Sequence, residues 1–124
     1  MIATIESKVI HGKGKGTNMG FATANQDISH LKEIPQAGVY ASEVWIDEKR
    51  YIGITNVGTR PTVDNDKNIT IETHILHYDG NLYEKTIKVV LCYYLRDIQK
   101  FADKHALLEQ IEKDSFKAEQ LLKN

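Results

Sequence analysis

The sequence predicts a mainly β protein, with five or six short strands closing into a small antiparallel barrel and one helix packed on its outside. Three observations point there. Runs rich in β-branched and aromatic residues recur between turn-forming residues from Ile2 to Leu95. The apolar period then becomes helical between Lys104 and Leu122. Nothing reads as a βαβ unit, so a doubly wound nucleotide fold is not expected.

Each element follows from local pattern. Residues 2–10 (IATIESKVI) read as a first strand that runs into a glycine-rich loop. Residues 26–37 are polar and irregular, and Pro35 bars a helix through that point. Gly38–Ile46 (GVYASEVWI) is a strand, Asp47-Glu48 turns the chain, and Arg50–Val57 (RYIGITNV) is its hairpin partner. Residues 58–68 (GTRPTVDNDKN) read as a loop, because Asp and Asn beside Gly and Pro supply turn chemistry without an apolar period.

Ile69–His77 alternates, with Ile69, Ile71, Thr73 and Ile75 on one face and Thr70, Glu72, His74 and Leu76 on the other. Asp79-Gly80 is expected to form a hairpin turn. It leads into the long strand Lys85–Leu95, with Ile87, Val89, Leu91, Tyr93 and Leu95 on one side. In the helix, Leu107, Leu108, Ile111, Ala118, Leu121 and Leu122 share a face, and Asp103 is the expected N-cap.

The 124 residues favour one domain spanning residues 1–124, able to bury roughly two thirds of its unfolded surface without staples. A composition 41% hydrophobic and 27% charged is that of a soluble globular chain. The net charge of −1 supplies no global field for nucleic acid or an anionic membrane. A single cysteine, Cys92, forms no internal disulfide and sits in an apolar run as a structural thiol, which suits a reducing compartment. No apolar run approaches the ~20 residues of a membrane span, and the amino end lacks a signal peptide's apolar region. A cytoplasmic monomer is expected.

The stretch Gly12–Asn25 (GKGKGTNMGFATAN) is the most informative for chemistry. Glycines at every second position let backbone amides converge on an anion, and Lys13 and Lys15 add positive charge around it. Thr23 and Asn25, two apart, point the same way from an extended backbone and offer neutral oxygens to a hard cation. A solvated flexible loop explains the same composition. Neither familiar glycine signature is met, because Gly16 separates Lys15 from Thr17 and the dinucleotide spacing fails.

Glu72 sits mid-strand, where partial desolvation would suit a general base; an ordinary solvated strand face is the competing reading. The five histidines show no zinc spacing, and Asp64 and Asp66 do not continue into a calcium loop. Arg60 and Arg96 are each able to bind an anion or to make a surface pair.

In order along the chain, VIHGKGKGTNMGFATAN, GVYASEV, YIGITNVGTRPT, IETHIL, LYEKTIKV and LRDIQKF resemble the riboflavin kinase family, ATP-dependent enzymes that convert riboflavin to FMN. The helix with DKHALLEQIEKD is similar to the family's carboxyl end. This resemblance implies a six-stranded Greek-key barrel. It implies that Gly12, Lys13, Gly14, Lys15 and Gly16 hold ATP phosphates, and that Thr23 and Asn25 bind phosphate and Mg²⁺. Glu72 is implied as the base for the ribityl 5′-hydroxyl, and Arg96 with the terminal helix as part of the flavin side.

The implied partners are riboflavin, FMN, ATP and ADP. Two residues depart from the family pattern: Ala22 replaces a proline, and Gln26 an apolar residue. The adenylyltransferase domain of many bacterial relatives is not present in these residues, so FMN rather than FAD is the expected product. A flavin- or nucleotide-binding regulatory module with weak turnover is the alternative on the same fold.

Overall fold

A computed structural model describes residues 2–10, 22–31, 33–61, 67–78 and 80–123. The strands are β1 (Ala3–Ile10), β2 (Ala22–Gln26), β3 (Gly38–Ile46), β4 (Lys49–Pro61), β5 (Lys67–Ile75) and β6 (Thr86–Arg96), followed by α1 (Lys104–Leu122). They close into a barrel in the order β1-β2-β5-β4-β3-β6, every neighbour antiparallel. β3, β4 and β5 are consecutive neighbours, and β6 returns to lie beside β3. That order, 6-3-4-5, is a Greek key.

The β3–β4 hairpin turns on Asp47 and Glu48, with φ of 50° and 71°. Positive φ at both central residues is what a two-residue turn between right-twisted strands requires. The expected hairpin at Asp79-Gly80 is corrected: Asp79 lies outside the described residues, and β5 and β6 are not neighbours in the sheet. Residues 76–85 are instead the crossover of the Greek key, and a local turn signal carries no information about the partner strand.

The loop expected over 58–68 is also shorter than composition suggests. β4 and β5 stay in register from Gly53↔Ile75 to Pro61↔Lys67, leaving 62–66 outside the described residues. Proline is tolerated there because it ends its strand. β2 was missed as an element: its inner positions, Ala24 and Gln26, and its outer ones, Thr23 and Asn25, make no apolar alternation.

Ile5, Val9, Ala24, Tyr40, Val44, Val57, Ile71, Ile75, Ile87, Val89 and Leu91 fill the barrel. A second apolar cluster lies outside it, where Ala118 and Leu122 of α1 cover Val39, Ala41 and Ile54, with Cys92 and Leu95 packed alongside. β3 is therefore buried on both faces over its first half, and its sequence does not alternate. The long β6 does not keep one side throughout. Tyr93 pairs with Ala41 but Leu91 pairs with Ser42, so the register shifts at Cys92 and leaves Tyr93 44% exposed. Helix α1 begins as expected, with Asp103 Oδ1 accepting from the Ala106 amide at 2.8 Å.

Across the barrel interior, the hydroxyls of Ser42, Thr55 and Thr73 form a fully buried chain, 2.8 Å and 2.9 Å between successive oxygens. Gly53 lies against it. A β-carbon at this position would meet Thr73 Cγ2 and Val44 Cγ2 at 2.8 Å and Ser42 Oγ at 3.1 Å. Gly53→Ala is therefore expected to destabilise the fold by about 1–3 kcal/mol through overpacking, read as a lowered urea midpoint at an unchanged slope.

Candidate functional site

The face that gathers the chemistry lies outside the barrel on β2 and β5. In their ladder Thr23 stands opposite His74 and Asn25 opposite Glu72, with inward-facing Ala24 opposite Thr73 between them. Alternate strand residues share a face, so Thr23, Asn25, Glu72 and His74 all lie on the outer side. β4 extends both rows, Asn56 beside Glu72 and Ile54 beside His74. One row is thus amide–carboxylate–amide. The next runs from hydroxyl through imidazole to the apolar patch under the helix.

The expected carboxylate is neither sunk in the core nor fully solvated: the Glu72 side chain is 29% exposed. His74 is the more buried of the two, at 7% for the residue. Its Nδ1 is 3.2 Å from Thr23 Oγ1, and its Nε2 is 3.8 Å from Glu72 Oε1. Burial lowers the imidazole pKa to about 4, against a smaller raising effect from the Asp114 carboxylate. At neutral pH His74 is an uncharged ring between a hydroxyl and a carboxylate.

This has a consequence for acid stability. In the unfolded chain the ring titrates near 6.5. Between that value and about 4 the unfolded state binds a proton that the folded state does not. Stability is therefore full above pH ~6.5 and lost as pH falls, by about 2–3 kcal/mol at pH ~4.5. Urea unfolding at the two pH values should give that difference in the wild type, and His74→Phe should lose most of it.

Arg96 closes β6, beyond β4 and β3 from this face. Its Nε reaches Asp114 Oδ1 and Oδ2 at 3.1 Å and 3.2 Å, its Nη2 donates to Oδ2 at 2.8 Å, and its Nη1 to the Asp97 carbonyl at 3.1 Å. Gln110 Nε2 adds a bond to Asp114 Oδ1 at 3.0 Å. The guanidinium also lies 5.8 Å from the Phe101 ring centroid. Arg96 thus fastens α1 to the barrel at the end of β6, where it pairs with Val39 of β3.

Of the residues expected from sequence, the structure brings Thr23, Asn25 and Glu72 together, and places Arg96 at the junction of β6 and α1. Gly12, Lys13, Gly14, Lys15 and Gly16 lie outside the described residues. Two participants were not singled out. Asn56 gives no sequence signal. Asp114 does, because it falls between Ile111 and Ala118 on the helix's apolar stripe, where a carboxylate needs a partner. Cys92 is half-buried, and burial pushes its thiol up, away from nucleophile chemistry.

The residues present suit a magnesium ion. Thr23 and Asn25 offer hard neutral oxygens, with the Glu72 carboxylate opposite Asn25. Magnesium characteristically takes few protein ligands and completes its shell with waters and substrate phosphates.

A small Greek-key barrel thus carries, on its outer wall, a carboxylate beside neutral hydroxyl and amide oxygens. The chain belongs to the riboflavin kinase family, whose model (flavokinase, riboflavin kinase) matches residues 2–122. It is 36% identical over 110 residues to the bifunctional riboflavin kinase/FMN adenylyltransferase of Pseudomonas fluorescens, covering 89% of this chain and 35% of that protein. The chain thus spans about a third of the length of the curated relatives it matches.

Among solved structures, the macrolide-efflux protein from Streptococcus pneumoniae superposes with a TM-score of 0.83 at 27% identity, over 91% of this chain and 37% of that one. Riboflavin kinase from Trypanosoma brucei superposes with a TM-score of 0.66 at 19% identity, over 98% and 80% of the two chains, a likeness of fold.

Proposed function

We propose that this chain transfers the γ-phosphoryl group of ATP to the ribityl 5′-hydroxyl of riboflavin, giving FMN and ADP. The observation that carries the reading is the direct pairing of Asn25 with Glu72 and of Thr23 with His74 on one outer face of the barrel. Family membership supplies the substrate class. Glu72 accepts the hydroxyl proton as the oxygen attacks phosphorus, and the β–γ bridging oxygen leaves on ADP. Thr23 and Asn25 hold phosphate oxygens and Mg²⁺, which, when bound, neutralises charge on the transferred group. The Gly12–Gly16 loop, with Lys13 and Lys15, cradles the phosphates, and Arg96 and α1 shape the flavin side. The reading takes the chain as a cytoplasmic monomer acting on small molecules.

Incubation of the purified chain with riboflavin, ATP and MgCl₂, followed by chromatographic separation of the flavins, tests the proposal. FMN that depends on all three additions is the expected result. Riboflavin or ADP binding without FMN would replace the kinase by a ligand-binding module on the same barrel.

A further inference from the structure

We propose that Gln26 clamps the barrel shut between β1 and β2, and that its side-chain oxygen holds one internal water as part of that clamp. Neither statement depends on the kinase reading. Among the described residues β1 and β2 pair only at Val9↔Gln26 and Ile10↔Asn25, whereas β1 and β6 pair from Ala3↔Leu91 to Lys8↔Thr86. The Asp27 amide, donating to the Lys8 carbonyl at 3.0 Å, flanks those two pairs. The seam between β1 and β2 is thus a thin place in the wall.

Gln26 bridges that seam from inside. The residue is 3% exposed, and its Nε2 lies 3.3 Å from the Ile5 carbonyl and Ser7 Oγ of β1 and from the Ile87 carbonyl of β6. Two amide hydrogens serve three acceptors, so the bonds are shared and long. The carbonyls also fix which way the amide faces. They accept only, and a reversed amide would set its oxygen against both of them. One side chain therefore ties β2 to β1 and, beyond it, to β6. Thr23 and Asn25 ride on the outer side of the same five-residue strand, so what holds Gln26 inside holds them outside.

The same orientation leaves Gln26 Oε1 buried and, among the described residues, without a donor. Leaving a buried amide oxygen unmet is costly, and folded chains meet such atoms with a protein donor or an ordered water. Ser7 supplies the second anchor that a buried water needs. It is 6% exposed, its Oγ accepts from Gln26 Nε2, and its own hydrogen is left to give. A water beside the two residues accepts that hydrogen and donates to Oε1. The ring of amide, hydroxyl and water then closes, and each member both gives and takes.

A high-resolution crystal structure of the chain tests the water. One ordered water within hydrogen-bonding distance of Gln26 Oε1 and Ser7 Oγ is expected; a protein donor at that oxygen, or no occupant, would overturn the water site. Hydrogen exchange tests the clamp. Gln26→Met keeps length and loses every bond, and should speed exchange of the Asp27 amide by about tenfold or more while amides of the β3–β4 ladder change far less. Ser7→Ala removes only the hydroxyl; it should empty the water site and speed exchange at Asp27 by a smaller factor. If Asp27 exchange is unchanged in both variants, or rises only in step with the β3–β4 amides, Gln26 merely fills space in the core and the clamp fails. Should Gln26→Met not fold, Ser7→Ala decides by the same comparison.

Discussion

Replacing Glu72 by glutamine is expected to lower kcat by about 10²–10⁴ while leaving riboflavin affinity within a few-fold of the wild type. The substitution is nearly isosteric and keeps an oxygen for the neighbouring side chains. Glutamine has no basic oxygen with which to take the hydroxyl proton, so the loss falls on the chemical step. It corresponds to about 3–5 kcal/mol of transition-state stabilisation. The side chain is 29% exposed, and Asn25 and Asn56 flank it on both neighbouring strands, so removing its charge does not bury a new unpaired group. Flavin fluorescence titration gives the affinity, and chromatographic FMN assays give kcat. Equal losses in both would assign Glu72 to ligand binding rather than to proton transfer.

How much of this site was legible depends on the distance at which each fact is encoded. Alternation in residues 69–75 placed Glu72 and His74 on one face, and helical spacing with Asp103 placed α1 to the residue. A period of two cannot say which face is interior. The Ile71–Thr73–Ile75 face fills the barrel, and the outer face carries the buried His74 and the partly exposed Glu72, opposite Thr23 and Asn25 of a strand distant in sequence. For the same reason Asp79-Gly80 misled. Turn chemistry was read locally, whereas the choice of strand partner is a property of the closed barrel. β2 is hidden by its composition, since a strand that presents Thr and Asn outward and Ala and Gln inward has no apolar signature. The carboxylate on the stripe of α1 was available to sequence reasoning, and Arg96 stood ready as its partner.

That pair carries the largest expected effect on stability. Asp114→Ala should destabilise the fold by about 3 kcal/mol, seen as a lower urea midpoint. The Asp114 side chain is 6% exposed and accepts from both Arg96 and Gln110; the Arg96 side chain is 19% exposed. Removing the carboxylate leaves a guanidinium under the helix that, among the described residues, keeps the Asp97 carbonyl and the Phe101 ring. Relief by solvent at the partly open Arg96 keeps the effect at the lower end for a buried pair. Asp114→Asn keeps an acceptor and should cost less. The double variant Arg96→Met/Asp114→Leu should recover most of the loss, because well-packed apolar groups avoid the desolvation that the ion pair has to offset. If the double variant is instead as unstable as Asp114→Ala, the pair's directional bonds rather than the stranded charge hold α1 in place. In the kinase reading, recovery of stability with altered riboflavin affinity would further separate the two duties of Arg96, fastening the helix and shaping the flavin side.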